Sequence, residues 1–514
     1  MRTVGGSTDR VVVIGAGLSG LAAALHLVGR GREVTVVERN AVPGGRAGRR
    51  DADGYLMDTG PTVLTMPGII EDTLAAVGES LESRLPLVRL DPAYRAHFID
   101  GSVLDVRADE EAMVEEVRAF AGPAEAAGYQ RLRRWLVQLY EAEYARFIAA
   151  NFDSPLRLLG PKLAHLTLLG GFGQWERAVG RFIHDERLQR VFTFQALYAG
   201  VAPRRALALY AVVAYMDTIG GVYFPLGGMR ALPDALAGAA ADAGVTFRYS
   251  TTVVSLERRG RRVTAVHTDA GERIGCDALV ISCELQTAYG LLGGSPHRIL
   301  RLRPAPSAMV LHLAAPSVWT GTRHHNLLFG HAWDTVFDDV IQDGRLMRDP
   351  SLLLTRPTAT DPSLAPPGRQ LLSLLAPVPN LAHRPTDWDR VGPAYAGEIL
   401  DIAAGRLGFA PSTVDTLNVI TPADWQRLGL VDGTPFSLSH TLPQTGPFRP
   451  ANVPRSAQNA VLAGCGTVPG VGIPAALLSG RLAADRITGI PRNREGLIAS
   501  RCGRLSPDHA SGRR

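Results

Sequence analysis

The chain has 514 residues, 46% hydrophobic and 20% charged, which is ordinary for a folded protein but too long for one core. Its formal net charge of +5 is carried almost wholly by arginine, with Lys162 the only lysine. No basic stripe interleaves with aromatic residues, so nucleic acid is not an expected partner.

The first segment, MRTVGGSTDR followed by VVVIGAGLSGLAAALHL, has the basic start and apolar middle of an export signal. Three glycines at a functional spacing break the apolar run and a strand-like VVVI precedes them, so export is rejected. Val11–Ile14 reads as a buried parallel strand and LAAALHLVGRG as a helix ended by Gly31; REVTVVER reads as a second strand closing on Glu38. Between the first strand and the helix, Gly15, Gly17 and Gly20 form GxGxxG. Gly15 makes the tight turn, Gly17 lets backbone approach a pyrophosphate, and Gly20 lets the helix pack on the strand. The helix N-terminus offers free N–H groups and partial positive charge to phosphates. Glu38 falls where an acid accepts ribose hydroxyls, about 20 residues on. Together these features predict a dinucleotide site, with Arg39 beside it.

Directly after Glu38 the chain runs into glycine instead of another βα unit. Gly44, Gly45 and Arg46 suit a second loop facing phosphate and flavin. The DTGPT stretch, with Gly60, Pro61 and Thr62, suits a second close approach of backbone. This order points to FAD held extended and resembles the FAD-dependent amine oxidase and desaturase superfamily.

Residues 110–220 read mostly as helix, and Leu132, Trp135, Leu136, Leu139, Tyr140 and Phe147 fall on one face, a core-packing pattern. Within this region SPLRLLGPKLAHLTLLGGFGQW mixes leucines with Arg157, Lys162 and His165. It reads either as an interfacial membrane segment or as a cap helix facing the core. A helix from about Ala231 to Ala243 comes next, then short strands TFRY, TVVSLERR and RVTAVHT, and a buried ALVIS. That is the order of the second half of a two-part FAD domain, with Val253 on the strand passing the adenine. Residues 300–445 are mixed and contain a strand-like VLHLAA. The four cysteines, Cys276, Cys283, Cys465 and Cys502, lack CxxC spacing and histidine partners. They read as free thiols of a reducing cytoplasm, and no metal is expected.

Near the end, GCGTVPGVGIPAALLSG is a donor-rich loop opening an apolar helix. The front of the chain already supplies a pyrophosphate helix. Gly466, Gly470, Val471, Gly472 and Ile473 are therefore assigned to the isoalloxazine ring, with the helix from Pro474 aimed at N1 and C2=O. Charge collects there on reduction, and a helix N-terminus stabilises an anion by about 0.3–1 kcal/mol.

The predicted fold class is α/β: a two-part Rossmann-like FAD-binding domain of the amine oxidase/desaturase type, interwoven with a mixed α+β substrate or cap domain. The FAD domain is expected at 1–90, 226–300 and 446–490. Residues 91–225 are expected to form a mostly helical, substrate- and membrane-facing region and 301–445 the rest of the substrate domain. A disordered tail is expected at 491–514.

Seven stretches in order resemble the bacterial-type phytoene desaturases, FAD-dependent carotenoid desaturases, almost end to end. They are GYLMDTGPTVLTMP, PAYRAHFIDGSVLDV, GGVYFPLGGMRAL, DPSLAPPG, LLAPVPNL, FSLSHTLPQTGPFRPAN and the glycine loop above. The resemblance implies FAD as sole redox cofactor, a lipophilic C40 polyene as substrate, and oxygen or a quinone as terminal acceptor. It also implies a cytoplasmic protein held peripherally on the inner face of the cell membrane. Many members carry a histidine after the threonine of the C-terminal motif; Val468 stands here, so that position is given no acid–base role.

Desaturation removes a hydride and a proton from adjacent carbons, and no side chain accepts hydride, so the flavin carries that step. There is no GxSxG, HExxH or Cys–His constellation, and no catalytic residue is assigned. His440, Tyr223 and Arg449 are polar groups of the kind that line or brace a tunnel. The proton's acceptor stays open among a carboxylate, water and a polarised backbone group. Tyr223, Phe224, Pro225 and Met229, with Phe436, Leu438, His440 and Phe448, are assigned to the wall of a polyene tunnel. Two other readings share these motifs: a desaturase or isomerase of another carotenoid or apocarotenoid, and an inactive flavin-binding protein.

Overall fold

The run VVVI becomes the centre of a parallel sheet. Arg10–Ile14 pairs in parallel with Glu33–Val37 on one side and Ala278–Ile281 on the other. Thr246–Arg248 and Ala460–Leu462 complete the five strands at opposite edges. Near-continuous β-branched and aliphatic runs suit strands covered on both faces. The computed structural model describes residues 1–154, 158–295, 301–316 and 321–489. The expected tail, with Cys502, and Arg157 of the leucine-rich segment lie outside the described residues.

The helix Leu18–Val28 is buried from Leu18 through Leu27, so it is an internal helix instead of a surface one. The terminal helix Ile473–Thr488 crosses it at very short range. A Cβ on Gly480 would overlap the Ser19 carbonyl oxygen and stand 2.7 Å from the Ala23 nitrogen, so the crossing requires glycine. A third helix, Ala231–Asp242, matches its predicted bounds within a residue. Asp58, distant in sequence, accepts the Met229 and Arg230 N–H groups at 2.7 and 3.1 Å, which satisfies orphan donors at that helix start. Segments from the front, middle and end of the chain thus meet in one layered unit.

A second, seven-stranded sheet stands beside it, in the order 415–420, 307–316, 369–378, 352–355, 325–328, 94–97 and 103–106. Its spine is the antiparallel pair Ser307–Pro316 and Arg369–Val378, in register from Ser307↔Val378 to Pro316↔Arg369. The outer hairpin, Tyr94–His97 with Val103–Val106, corrects the expectation of a mostly helical region from residue 91. Four-residue strands are too short for period-2 alternation to stand out. Beyond the hairpin come the helices Glu110–Ala121 and Pro123–Glu143. Leu132, Trp135, Leu136 and Leu139 of the second are buried. Tyr140 instead stacks on Tyr215 with ring centroids 4.2 Å apart. Among the described residues no helix is long and apolar enough to cross a membrane.

Candidate active site

A cavity of about 950 Å³ begins at the glycine turns of the parallel sheet and continues between the helical region and the large sheet. Gly15, Gly17, Glu38, Arg39, Gly45, Arg46, Gly60, Pro61, Thr62 and Val253 all line it. So do Gly466, Gly470, Val471, Gly472 and Ile473. Gly20 lies beneath the wall, where a Cβ would overlap the Gly15 carbonyl oxygen and come within 2.6 Å of Ser282 Oγ. That serine donates to the Ile14 and Gly15 carbonyls at 2.9 Å and locks the turn from behind.

Glu38 is buried, and each of its oxygens accepts one backbone N–H: Ala16 at 2.7 Å and Asn40 at 2.9 Å. A carboxylate has about four lone-pair sites, so capacity remains for two ligand hydroxyls. Arg39 turns outward and donates to the Leu428 carbonyl at 2.6 Å, tying the acid's neighbour to another lining loop. The Gly44 N–H donates to Ala16 O at 2.9 Å, so the second glycine loop is bonded to the first turn. Opposite, a Cβ on Gly60 would overlap the Arg46 carbonyl oxygen, which makes the second backbone approach a physical contact. Arg46 pairs with Glu284, while its buried Nε–H has no hydrogen-bond partner among the described residues. Closely approached backbone, an acid with spare acceptor capacity and a half-buried arginine whose buried Nε–H is an unmet donor fit FAD.

The C-terminal loop is braced from two sides. The Gly464 N–H donates to Ser479 Oγ at 3.0 Å. His440 packs against Gly470, where a Cβ would overlap the imidazole. Its Nε2 accepts the Val471 N–H at 3.5 Å, and its Nδ1 lies 3.2 Å from Tyr210 OH, which also bonds Thr445. Burial, with Arg449 adding to it, holds the imidazole well below its usual pKa, so His440 is neutral. Arg449 does not line the cavity. Its guanidinium donates to the carbonyls of Thr467, Gln444, Leu438 and Cys465 at 2.6–3.3 Å, clamping the loop to the preceding segment.

The rest of the cavity is an apolar arm. Phe436, His440 and Phe448 line it; Tyr223, Phe224, Pro225, Met229 and Leu438 do not. The strand Val222–Pro225 lies between Leu64–Thr65 and Leu87–Arg89. Phe224 is buried against the His324 ring, centroids 4.5 Å apart. Met229 is held in the turn that Asp58 caps. Tyr223 is half-buried, with its backbone paired to Leu64 and Arg89. An apolar residue looks the same in sequence whether it faces a cavity or a core. The actual walls include Leu166 and Phe172, Phe194 and Leu197, Val212, Val213 and Met216, and Leu327 and Phe329 of the large sheet.

Two groups missed in the sequence stand in that arm. Glu143 and Asp217 line it, each only 3% exposed. Glu143 has an Oε1 without a hydrogen-bond partner among the described residues, and burial alone pushes its pKa well above the carboxylate range. Burial pushes Asp217 up to about 7, opposed by the Tyr94 hydroxyl, which donates to Oδ2 at 3.2 Å. A signal existed for Glu143, which continues the face of Leu132, Leu136 and Leu139 at helical spacing. Cys283 also lines the cavity, but burial pushes it up to about 12, so it is a thiol and not a nucleophile.

The sequence profile of the flavin-containing amine oxidoreductases matches residues 18–488. A phytoene dehydrogenase of Streptomyces griseus is 57% identical over 492 residues, 95% of this chain and 97% of that protein. A zeta-carotene-forming phytoene desaturase of Myxococcus xanthus is 35% identical over 491 residues, 93% of each chain. Among solved structures, an oxidoreductase from Methanosarcina mazei aligns with a TM-score of 0.61 at 15% identity. That alignment covers 92% of this chain and 99% of the other and shows likeness of fold alone. With profile and relatives both spanning nearly the whole length, the chain belongs to the flavin-containing amine oxidoreductase family, on the branch of the bacterial phytoene desaturases.

Proposed function

We propose that this protein is an FAD-dependent phytoene desaturase of carotenoid biosynthesis, acting in successive steps toward lycopene. The observation that carries the reading is one cavity that joins a backbone-built dinucleotide cradle to a long apolar arm. The turn at Gly15–Gly17 and the helix behind it hold the pyrophosphate, and Glu38 the ribose. The 44–46 and 464–473 loops hold the flavin end. FAD, when bound, supplies the hydride acceptor that no side chain can be. The chain's own residues then have three tasks: to line a dry arm for a substrate without polar groups, to hold it beside the C-terminal loop, and to receive a proton.

The same arm supports delivery from a membrane. Leu159, Leu168 and Phe172 are 66%, 85% and 45% exposed, and Lys162 and His165 beside them are exposed too. Phe172 also lines the cavity, so this segment serves as the mouth through which a lipid-soluble substrate enters from the inner leaflet. Leu166 of the helix Pro161–Leu168 points inward, which makes that helix two-faced. Oxygen or a bilayer quinone would serve as the terminal electron acceptor.

The test is phytoene in liposomes with purified, FAD-loaded protein. Chromatography of the products is expected to show a series of added double bonds ending at lycopene. No conversion at full FAD content overturns the reading, and a different carotenoid converted in its place favours the alternative substrate. In flotation, Leu159, Leu168 and Phe172 changed together to Ser are expected to release the protein from vesicles; undiminished flotation removes this segment as the mouth.

A further inference from the structure

The helix Val212–Thr218 turns Val212, Val213, Met216 and Asp217 toward the cavity, so a carboxyl occupies a face that is otherwise apolar. An isolated anion there has lost its water and gained little in return. The compensation is specific. Tyr94 OH donates to Asp217 Oδ2 at 3.2 Å, and Tyr94 is itself fixed between the rings of Phe194 and His325, at 5.6 and 5.5 Å. Just beyond this helix, Val222 pairs with Thr65, which lines the same cavity next to the 59–62 segment assigned to the cofactor end.

We propose that Asp217 is the proton acceptor of the desaturation, with Tyr94 as its positioning residue; this rests on the function proposed above. One C–H bond of the polyene breaks with its electron pair, and the hydride passes to the flavin, the two-electron acceptor. The C–H bond on the adjacent carbon breaks heterolytically, its proton passes to a carboxylate oxygen of Asp217, and the electrons left behind become the new C=C bond. Substrate loses two electrons and two hydrogens, the flavin gains the hydride, and Asp217 becomes the neutral acid until it returns the proton to water.

Other groups in the arm suit this task less. Among the described residues Glu143 has no donor toward Oε1 to stabilise its anion, and burial pushes its pKa well above the carboxylate range, which disfavours the proton-accepting form. His440 is engaged at both nitrogens, by Val471 and Tyr210. Asp217 is faced by Tyr94 and Tyr198, with the neutral His325 behind Tyr94, and both of its protonation states are populated near neutral pH.

The experiment compares FAD-loaded wild type, Asp217→Asn, Asp217→Glu, Tyr94→Phe and Glu143→Gln. Infrared spectra of wild type are expected to show a protonated carboxyl band that fades as pH rises through about 7 and is missing from Asp217→Asn. Asp217→Asn should keep its FAD content and flavin absorption while losing roughly 100-fold or more in turnover, with partial recovery in Asp217→Glu. Tyr94→Phe removes a donor that favours the anion, so the acid limb of its rate profile moves to higher pH. Glu143→Gln leaves that limb in place. Normal turnover of Asp217→Asn, or an acid limb it retains, overturns the assignment while the desaturase reading stands. If Asp217→Asn does not hold FAD, an unshifted limb in Tyr94→Phe overturns it. Wild type inactive on phytoene at full FAD overturns both.

Discussion

The two ends of the cavity are built from different material. At the cofactor end the wall is main chain: Gly15, Gly17, Gly45, Gly60 and the 464–473 loop bring peptide groups within touching distance of one another and of a ligand. In the arm the wall is side chain, drawn from helices and strands scattered between Glu143 and Phe448. A pyrophosphate and a flavin ring need N–H donors at fixed positions, and peptides provide these only where no Cβ intervenes. A polyene offers nothing but surface, so many combinations of apolar residues can enclose it. The first kind of wall should fail on the addition of one atom; the second should tolerate changes of shape and fail on changes of polarity.

The sharpest way to break this contrast is Gly60→Ala. Its methyl group would overlap the Arg46 carbonyl oxygen, a backbone atom that cannot turn aside. Loss of bound FAD is expected, with about 3 kcal/mol of stability, measured by flavin absorbance per chain and by denaturant unfolding. Full FAD content with unchanged stability would mean the cofactor end is softer than its geometry.

Within the arm, Phe224→Ala and Phe436→Ala separate core from wall. Phe224 is buried and off the cavity, so its truncation should cost about 3–5 kcal/mol and leave KM for phytoene unchanged in the folded fraction. Phe436 lines the arm and is half-buried, so its truncation should cost less stability and raise KM. The reverse pattern would restore Phe224 to the tunnel.

The smallest effect concerns Asp58, which joins the two FAD-binding segments. Burial pushes its pKa up to about 6, against the two N–H groups it accepts. A folded pKa raised above the unfolded value gives stability that is fully present below about pH 4 and lost as pH rises through about 6. The stability of wild type relative to Asp58→Asn should therefore improve on acidification across that window, by no more than about 3 kcal/mol. A difference independent of pH would show that the Asp58 carboxyl titrates alike in the folded and unfolded chain.

The same contrast explains what could be read in the chain beforehand. Gly15, Gly17, Glu38 and the 464–473 loop are legible because backbone chemistry leaves a spacing in the sequence. The parallel strands are legible because burial on both faces leaves continuous β-branched runs. Tyr223, Phe224 and Met229 were misplaced because aromatic and apolar residues near a glycine turn look alike in a core and in a tunnel. The Tyr94–Val106 hairpin was missed because its strands are too short to show a period. Asp217 carries no local signature, since its meaning depends on Tyr94, which only the folded chain brings to it.

The crossing of Gly480 over Ser19 also bears on how the flavoprotein comes into being. The opening helix and its glycines leave the ribosome long before the helix that must press on them, and the Ala460–Leu462 edge of the sheet arrives just ahead of it. The cradle is therefore incomplete until the terminal helix has packed on the opening one. A chain truncated before Ile473 would keep the whole GxGxxG fingerprint and lack the helix that packs on it.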